Sequence, residues 1–329
     1  MAKDVLIRLS ALGDILLAVP VIRALERQGR AVRWIIGSKW AELAALLPGT
    51  IRVLETSGWN APAAILAEAK ACRRDRPDRV IDLQGKVSSF LLSLLIGRPT
   101  SRYQKRSGLE QWQVMRGTYP FRFQDRREIW RKYAQTAGLE LSQPDGRLNV
   151  DPEFSARAAR FIRARGLTPG GYVVIHPEAS HAPKALPEAG LTACFGVFSR
   201  PVVLVGDRQR IPAPVGARDL RGETSLSELM WVLSEAAAVI STDSGPMHLA
   251  RAFDRPLGAV FLQTDPCLGF APLPGPDVTV VSRDLPCKPC SIHGQRLQCP
   301  EGHWNCRNLD WTAIARDLRD FFAGRGVNV

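Results

Sequence analysis

Apolar residues come along this chain in short uninterrupted runs, separated by stretches in which they recur at helical spacing. Residues 4–9 (DVLIRL), 31–37 (AVRWIIG) and 78–83 (DRVIDL) are runs of the first kind and predict buried strands. ILLAVPVIRALERQG at 15–29 has the second pattern and predicts a helix, a helix capped by Ser38 follows the second run, and another is expected over about 126–138. The Pro, Gly, Asp and Asn of SQPDGRLNVDP (142–152) mark a linker. The pattern then restarts, with strands expected at 172–176, 201–206, 237–242 and 257–262 and helices at about 187–195, 225–236 and 245–254. Strands alternating with helices predict parallel sheets covered on both faces, here in two similar halves with a cleft between their carboxyl ends. The amphipathic tail DWTAIARDLRDFFAG predicts a terminal helix over about 310–323.

A length of 329 residues exceeds what one core usually holds, which agrees with two domains, 1–148 and 149–329. Arg8 and Asp14 interrupt the first apolar stretch, so no secretory segment is read there, and FLLSLLIG at 90–97 is far shorter than the roughly 20 residues of a membrane helix. A cytoplasmic protein is expected. Lys and Arg total 44 against 32 Asp and Glu, a formal net charge of +12 that suits an anionic partner. No zinc finger or stacking-aromatic RNA motif accompanies the charge, so a phosphorylated substrate near a membrane fits better than nucleic acid. The segment 97–127 has no clear periodicity and carries far more arginine and lysine than acid; it reads as a functional basic connection or as a solvated loop.

Residues 240–253 (ISTDSGPMHLARAF) join a strand to a helix through Asp243, Ser244, Gly245 and Pro246. Such a helix start is an ordinary cap, and it is also an anion site at the carboxyl end of a strand, where phosphate is the expected anion. The first loop holds only Gly13 and no GxGxxG, which counts against a dinucleotide-dependent oxidoreductase. Seven cysteines are expected to be reduced. Cys287, Cys290, Cys299 and Cys306 begin with a CxxC pair, so they are either a structural zinc site or reduced residues of an irregular loop.

VLIRLSALGDILLAVPVIRAL, IDLQGKVSSFLL, SHAPKALPE and DSGPMHLA resemble, in order, four signature blocks of glycosyltransferase family 9, the lipopolysaccharide heptosyltransferases. The resemblance implies the GT-B architecture, two Rossmann-like α/β/α domains facing each other across a cleft, with a terminal helix that can cross back to the first domain. It implies an inverting glycosyltransferase that needs no catalytic cofactor, with a nucleotide-diphosphate sugar donor, ADP-heptose, and a lipopolysaccharide core acceptor at the inner membrane surface. Asp14 then matches the general base; the alternative is that it caps the following helix, and the two roles can coexist. Lys184 and Ser180 match donor-phosphate positions, Asp243, Ser244, Gly245 and His248 the second half of that cradle, and Glu228 the acid associated with the donor ribose. On the acceptor side stand Gln84, Gly85, Lys86, Arg102, Lys105 and Arg106, with Arg8 and Gly13 beside Asp14; Arg8 either orients the acceptor or pairs with Asp14. Glu178 stands where the family often has glycine, and LVGDRQR has one glycine where many relatives have two. A monomer is expected. The rival readings are a GT-B nucleotide-sugar epimerase and a basic nucleic-acid-binding protein without enzymatic activity.

Overall fold

A strand covered by helices on both faces must be apolar on both sides, and the short apolar runs of this chain fold accordingly. The computed structural model describes residues 2–58, 61–104, 112–113 and 127–328. Among these, one unit comprises 2–58, 61–104 and 127–149 and the other 112–113 and 150–328.

The first unit holds β1 (Lys3–Ile7), β2 (Ala31–Gly37), β3 (Thr50–Leu54), β4 (Arg79–Asp82) and β5 (Thr100–Arg102), ordered β3-β2-β1-β4-β5 with every neighbour parallel. Val5, Ile7, Ile35 and Val80 pack on Ile65, Ala69 and Cys72 of α3 (Ala61–Asp75) and on Leu92 and Ile96 of α4 (Val87–Ile96). The one helix expected over 15–29 is two, α1 (Leu12–Leu16) and α2 (Val19–Arg27). Pro20 is the reason. It has no N–H for the Leu16 carbonyl and its ring would strike that carbonyl, whereas near the start of a new helix neither defect matters. Helix α5 (Ile129–Thr136) falls inside the span expected at 126–138.

The second unit holds β6 (Val173–His176), β7 (Val202–Leu204), β8 (Arg218–Asp219), β9 (Ala238–Thr242), β10 (Leu257–Phe261) and β11 (Val278–Ser282), all parallel in the order β11-β10-β9-β6-β7-β8. Its helices are α6 (Pro152–Ala164), α7 (Glu188–Gly196), α8 (Leu226–Ser234), α9 (Gly245–Ala252) and α10 (Trp311–Ala323). The linker signal at 142–152 ends as a cap: Asp151 accepts the Phe154 N–H at 2.6 Å and starts α6. Helix α10 buries Trp311, Ala315, Leu318 and Phe322 against Val173, Leu191 and Val260, so its apolar stripe belongs to the second unit's own core. Gly190 permits that packing, because a Cβ there would lie 2.9 Å from the Trp311 ring. No helix among the described residues is long and apolar enough to cross a membrane.

Each strand order contains one reversal. The chain leaves β1 towards β2 and β4 towards β5 on opposite sides, and it leaves β6 towards β7 and β9 towards β10 in the same manner. The loops at each reversal part above the carboxyl ends of the strands and open a crevice there.

Candidate active site

In the first unit the crevice is built by the loops after β1 and β4. The buried Gln84 side chain accepts the Leu9 and Ser10 N–H groups at 3.0 and 3.1 Å, so it fixes the first loop from beneath. Arg8, also buried, donates to the Leu83 carbonyl and lies 2.5 Å from the Asp14 carboxylate. The Tyr133 hydroxyl of α5 donates to the other Asp14 oxygen at 3.0 Å, and the Arg8 guanidinium stands 5.3 Å from the centre of the Tyr133 ring. Burial, and then the Asp14 charge, raises the Tyr133 pKa well above its usual value, so the phenol keeps the proton it donates. The Ala11 N–H points at Asp14 from 3.3 Å, so the aspartate, three residues beyond the N-cap of α1, also caps that helix. Three donors thus fix a carboxylate that keeps 20% of its side chain exposed, where it can meet a hydroxyl.

Of the other acceptor-side residues, Gly13 lies in the first turn of α1 and Lys86 is exposed at the start of α4. Arg102 is committed elsewhere, 2.9 Å from the buried Asp82 and 2.8 Å from Ser93 Oγ. Asp82 also accepts the Gln84 and Gly85 N–H groups, both at 3.0 Å, and the Ser89 hydroxyl, which satisfies its buried charge. Lys105 and Arg106 lie outside the described residues.

The second unit's crevice lies between the loops after β6 and β9. Lys184 Nζ is 2.9 Å from Asp243 Oδ2, and the Thr264 hydroxyl donates to the same oxygen at 2.8 Å. The Ser244 hydroxyl sits 3.1 Å from His176 Nδ1 and 3.0 Å from the Thr242 carbonyl. Burial lowers the His176 pKa to about 4, so this imidazole is neutral. Asp243 and Ser244 have the chemistry of a helix cap, yet their side chains turn to Lys184, Thr264 and His176, and Ser244, the N-cap, makes no side-chain cap hydrogen bond to α9. The start of α9 therefore stands beside the Lys184–Asp243 pair, with the buried His248 one turn inside. Ser180 is exposed in the opposing loop.

Two sequence assignments change meaning here. Glu178 points away from the crevice: its carboxylate accepts the Arg208 and Arg210 N–H groups, each at 3.0 Å, and lies 3.7 Å from Arg221, so it braces the 207–210 loop. Glu228 completes a reciprocal cap with Ser225, accepting its N–H at 2.8 Å, and stands 3.9 Å from Arg165. Its carboxylate is used in starting α8.

The tetrathiolate zinc site that the cysteine spacing allowed is not assembled, since no three His, Cys, Asp or Glu side chains among the described residues are arranged to hold a metal. Cys290 and Cys306 are buried as free thiols, and Cys287 Sγ approaches His303 Nε2 at 3.9 Å. Burial, and then the neighbouring Cys306, Cys287 and Cys299, push the Cys290 pKa up to about 11. What this segment does hold is Lys184. Gly294 adopts φ +80° directly against the lysine stem, and a Cβ there would overlap Lys184 Cγ and Cδ. The adjacent Arg296 carbonyl accepts from the buried Gln263 at 2.6 Å, anchoring the segment after β10. Tyr133, Thr264, His176 and Gly294 were not anticipated from the sequence; of these, His176, the last residue of a predicted strand, and Thr264, just past the end of another beside β9, stood at positions that could have suggested them.

The sequence profile of glycosyltransferase family 9 (heptosyltransferase) matches residues 65–301. The chain is similar to lipopolysaccharide heptosyltransferase 1 of Salmonella typhimurium, 25% identical over 307 residues that cover 81% of this chain and 90% of that protein. Among solved structures it is similar to a family 9 glycosyltransferase from Veillonella parvula, with a TM-score of 0.74, 16% identity and 98% of each chain covered. The E. coli ADP-heptose lipopolysaccharide heptosyltransferase II gives a TM-score of 0.72 at 18% identity over 98% of this chain and 99% of that one. The E. coli heptosyltransferase WaaC with ADP gives 0.64 at 19% identity over 97% and 99%. These likenesses establish the fold as α/β of the GT-B type.

Proposed function

The chain belongs to glycosyltransferase family 9 and is a glycosyltransferase acting in lipopolysaccharide synthesis; on that premise we propose that it moves heptose from ADP-heptose to a lipopolysaccharide core acceptor, with inversion and without a catalytic cofactor. Residues 1–148 take the acceptor and 149–329 the donor, at the cytoplasmic face of the inner membrane. An acceptor hydroxyl oxygen attacks the anomeric carbon, its proton passes to Asp14, and the bond from that carbon to the diphosphate breaks with ADP leaving. Arg8 and Tyr133 aim the Asp14 carboxylate at the hydroxyl. Lys184 and the α9 amides meet the phosphate oxygens, whose charge grows as the bond breaks.

The observation that carries this reading is the uncapped start of α9 beside Lys184. Residues of cap type hold the lysine and a neutral histidine, and Ser244 makes no side-chain cap hydrogen bond to the helix start, which suits an anion there. Asp243 does not repel the diphosphate there, because Lys184 and Thr264 already engage its carboxylate. The E. coli WaaC structure, which holds ADP, supports the choice of nucleotide. The epimerase and nucleic-acid readings are not favoured, since the family accounts for the same crevice.

The test is Asp14→Asn, which keeps the acceptor oxygen for Tyr133 but removes the base. Turnover should fall by roughly two to four powers of ten with ADP affinity unchanged. Near-normal turnover would remove Asp14 from the chemistry.

A further inference from the structure

We propose that the outer face of α4, with the neighbouring part of α3, is a docking surface for an anionic phospholipid bilayer. Val87, Phe90, Leu91 and Leu94 are 85%, 51%, 40% and 63% exposed, and their spacing puts all four on one side of α4. Beneath them Ser89, Leu92, Ser93 and Ile96 are buried, so the helix has a committed inner face and a separate outer one. Leu66 of α3, the helix packed beside it, is 45% exposed. A ten-residue helix is too short to span a bilayer, but an exposed apolar stripe of this length can lie in the interface.

The surrounding charge selects the occupant. Lys86 precedes α4 and Arg98 follows it, and Lys70, Arg73 and Arg74 are exposed on α3. Helix α4 contains no acid, and the one acid of α3 before Asp75, Glu68, is buried and paired with Arg33 and Arg52 at 3.1 and 3.6 Å. The one exposed acid of α3, Asp75, is paired with Arg33, and apolar side chains rimmed by this excess of cations match anionic headgroups above acyl chains. A second copy of this chain fits worse, since a two-fold contact would set cation against cation. The inference rests on the proposed lipid-borne acceptor, which places a bilayer beside the enzyme, but its test needs neither donor nor acceptor.

Full-length protein is sedimented with vesicles of phosphatidylethanolamine containing phosphatidylglycerol and, separately, of phosphatidylcholine alone. Binding should favour the anionic vesicles and weaken with salt. In the double variant Phe90→Glu/Leu94→Glu, partitioning should fall at least about tenfold, because two apolar contacts are lost and two charges are repelled. ADP binding and the circular dichroism spectrum should stay unchanged, as both side chains point outward. Equal partitioning of the parent and the double variant overturns the proposal. So does a dimer in sedimentation velocity that the variant abolishes while vesicle binding persists. If instead the protein transfers no sugar to any core acceptor yet binds vesicles through α4, the functional reading falls and the surface stands.

Discussion

Gly294→Ala isolates the part of the cysteine-rich segment that packs on Lys184 in the crevice proposed to take the donor. The added methyl has two separable consequences. The first is backbone strain, because φ is +80° and an L side chain in that region costs about 1–2 kcal/mol. The second is displacement of Lys184, since the new Cβ would overlap the Cγ and Cδ that carry the ammonium to Asp243. Gly302→Ala separates them: it lies in the same segment at φ +70°, with nothing within 4 Å of an added Cβ. Both variants should lose about 1–2 kcal/mol in urea unfolding. Only Gly294→Ala should lose the charge-assisted contact to the diphosphate, about 1.5–3 kcal/mol, or roughly ten- to a hundredfold in ADP affinity by titration calorimetry. If ADP binds Gly294→Ala within about twofold of Gly302→Ala, the lysine stem yields to the methyl and the segment has no part in holding Lys184.

Two further predictions concern the supports of the same crevice. His176 is buried and neutral with its pKa lowered from 6.5 to about 4, so the unfolded chain takes up a proton at a higher pH than the folded one, and stability should fall as pH drops from 6.5 to 4. The His176 share should reach about 3 kcal/mol at pH 4 in urea unfolding, and an identical pH slope in His176→Gln would refute it. Glu178→Ala should cost about 2–4 kcal/mol, below a full buried-pair loss because Arg221 keeps Asp219 at 2.7 Å; a loss under about 0.5 kcal/mol would show that the 207–210 loop does not depend on it.

How much of this could be read beforehand depended on whether a residue's surroundings are local. The inner strands β1, β2, β4, β6, β7, β9 and β10 were legible because parallel strands covered on both faces are written as apolar runs. Strands β3, β5, β8 and β11 are edges, and β5 is three residues with none buried. In β3 only Leu54 is buried and Arg52 interrupts the pattern, β8 is two charged residues, and β11 is nowhere fully buried, so none gave a usable signal. The loops that carry Asp14, Lys184 and Asp243 were legible for a related reason, since each follows such a strand and a sheet reversal opens its crevice at that end.

Side-chain direction was not legible, and the two helix starts of the second unit show why. Ser225 and Glu228 cap α8, although the resemblance gave Glu228 a place at the donor; Asp243 and Ser244 precede α9 with equal capping ability and leave it uncapped. Local rules rate both starts alike. The difference lies in the neighbours. Strands β9 and β6 pair side by side, with His176 opposite Ser241, so the Ser244 hydroxyl reaches an imidazole, while Lys184 from across the crevice and Thr264 from the neighbouring β10 end draw Asp243. At α8 a distant Arg165 competes with the Ser225 amide for the Glu228 carboxylate, and the cap forms. A cap-type sequence therefore leaves its helix amides to a ligand when paired strand ends and crevice loops offer its side chains stronger partners. That condition is met at the sheet reversal, where the phosphate is proposed to bind.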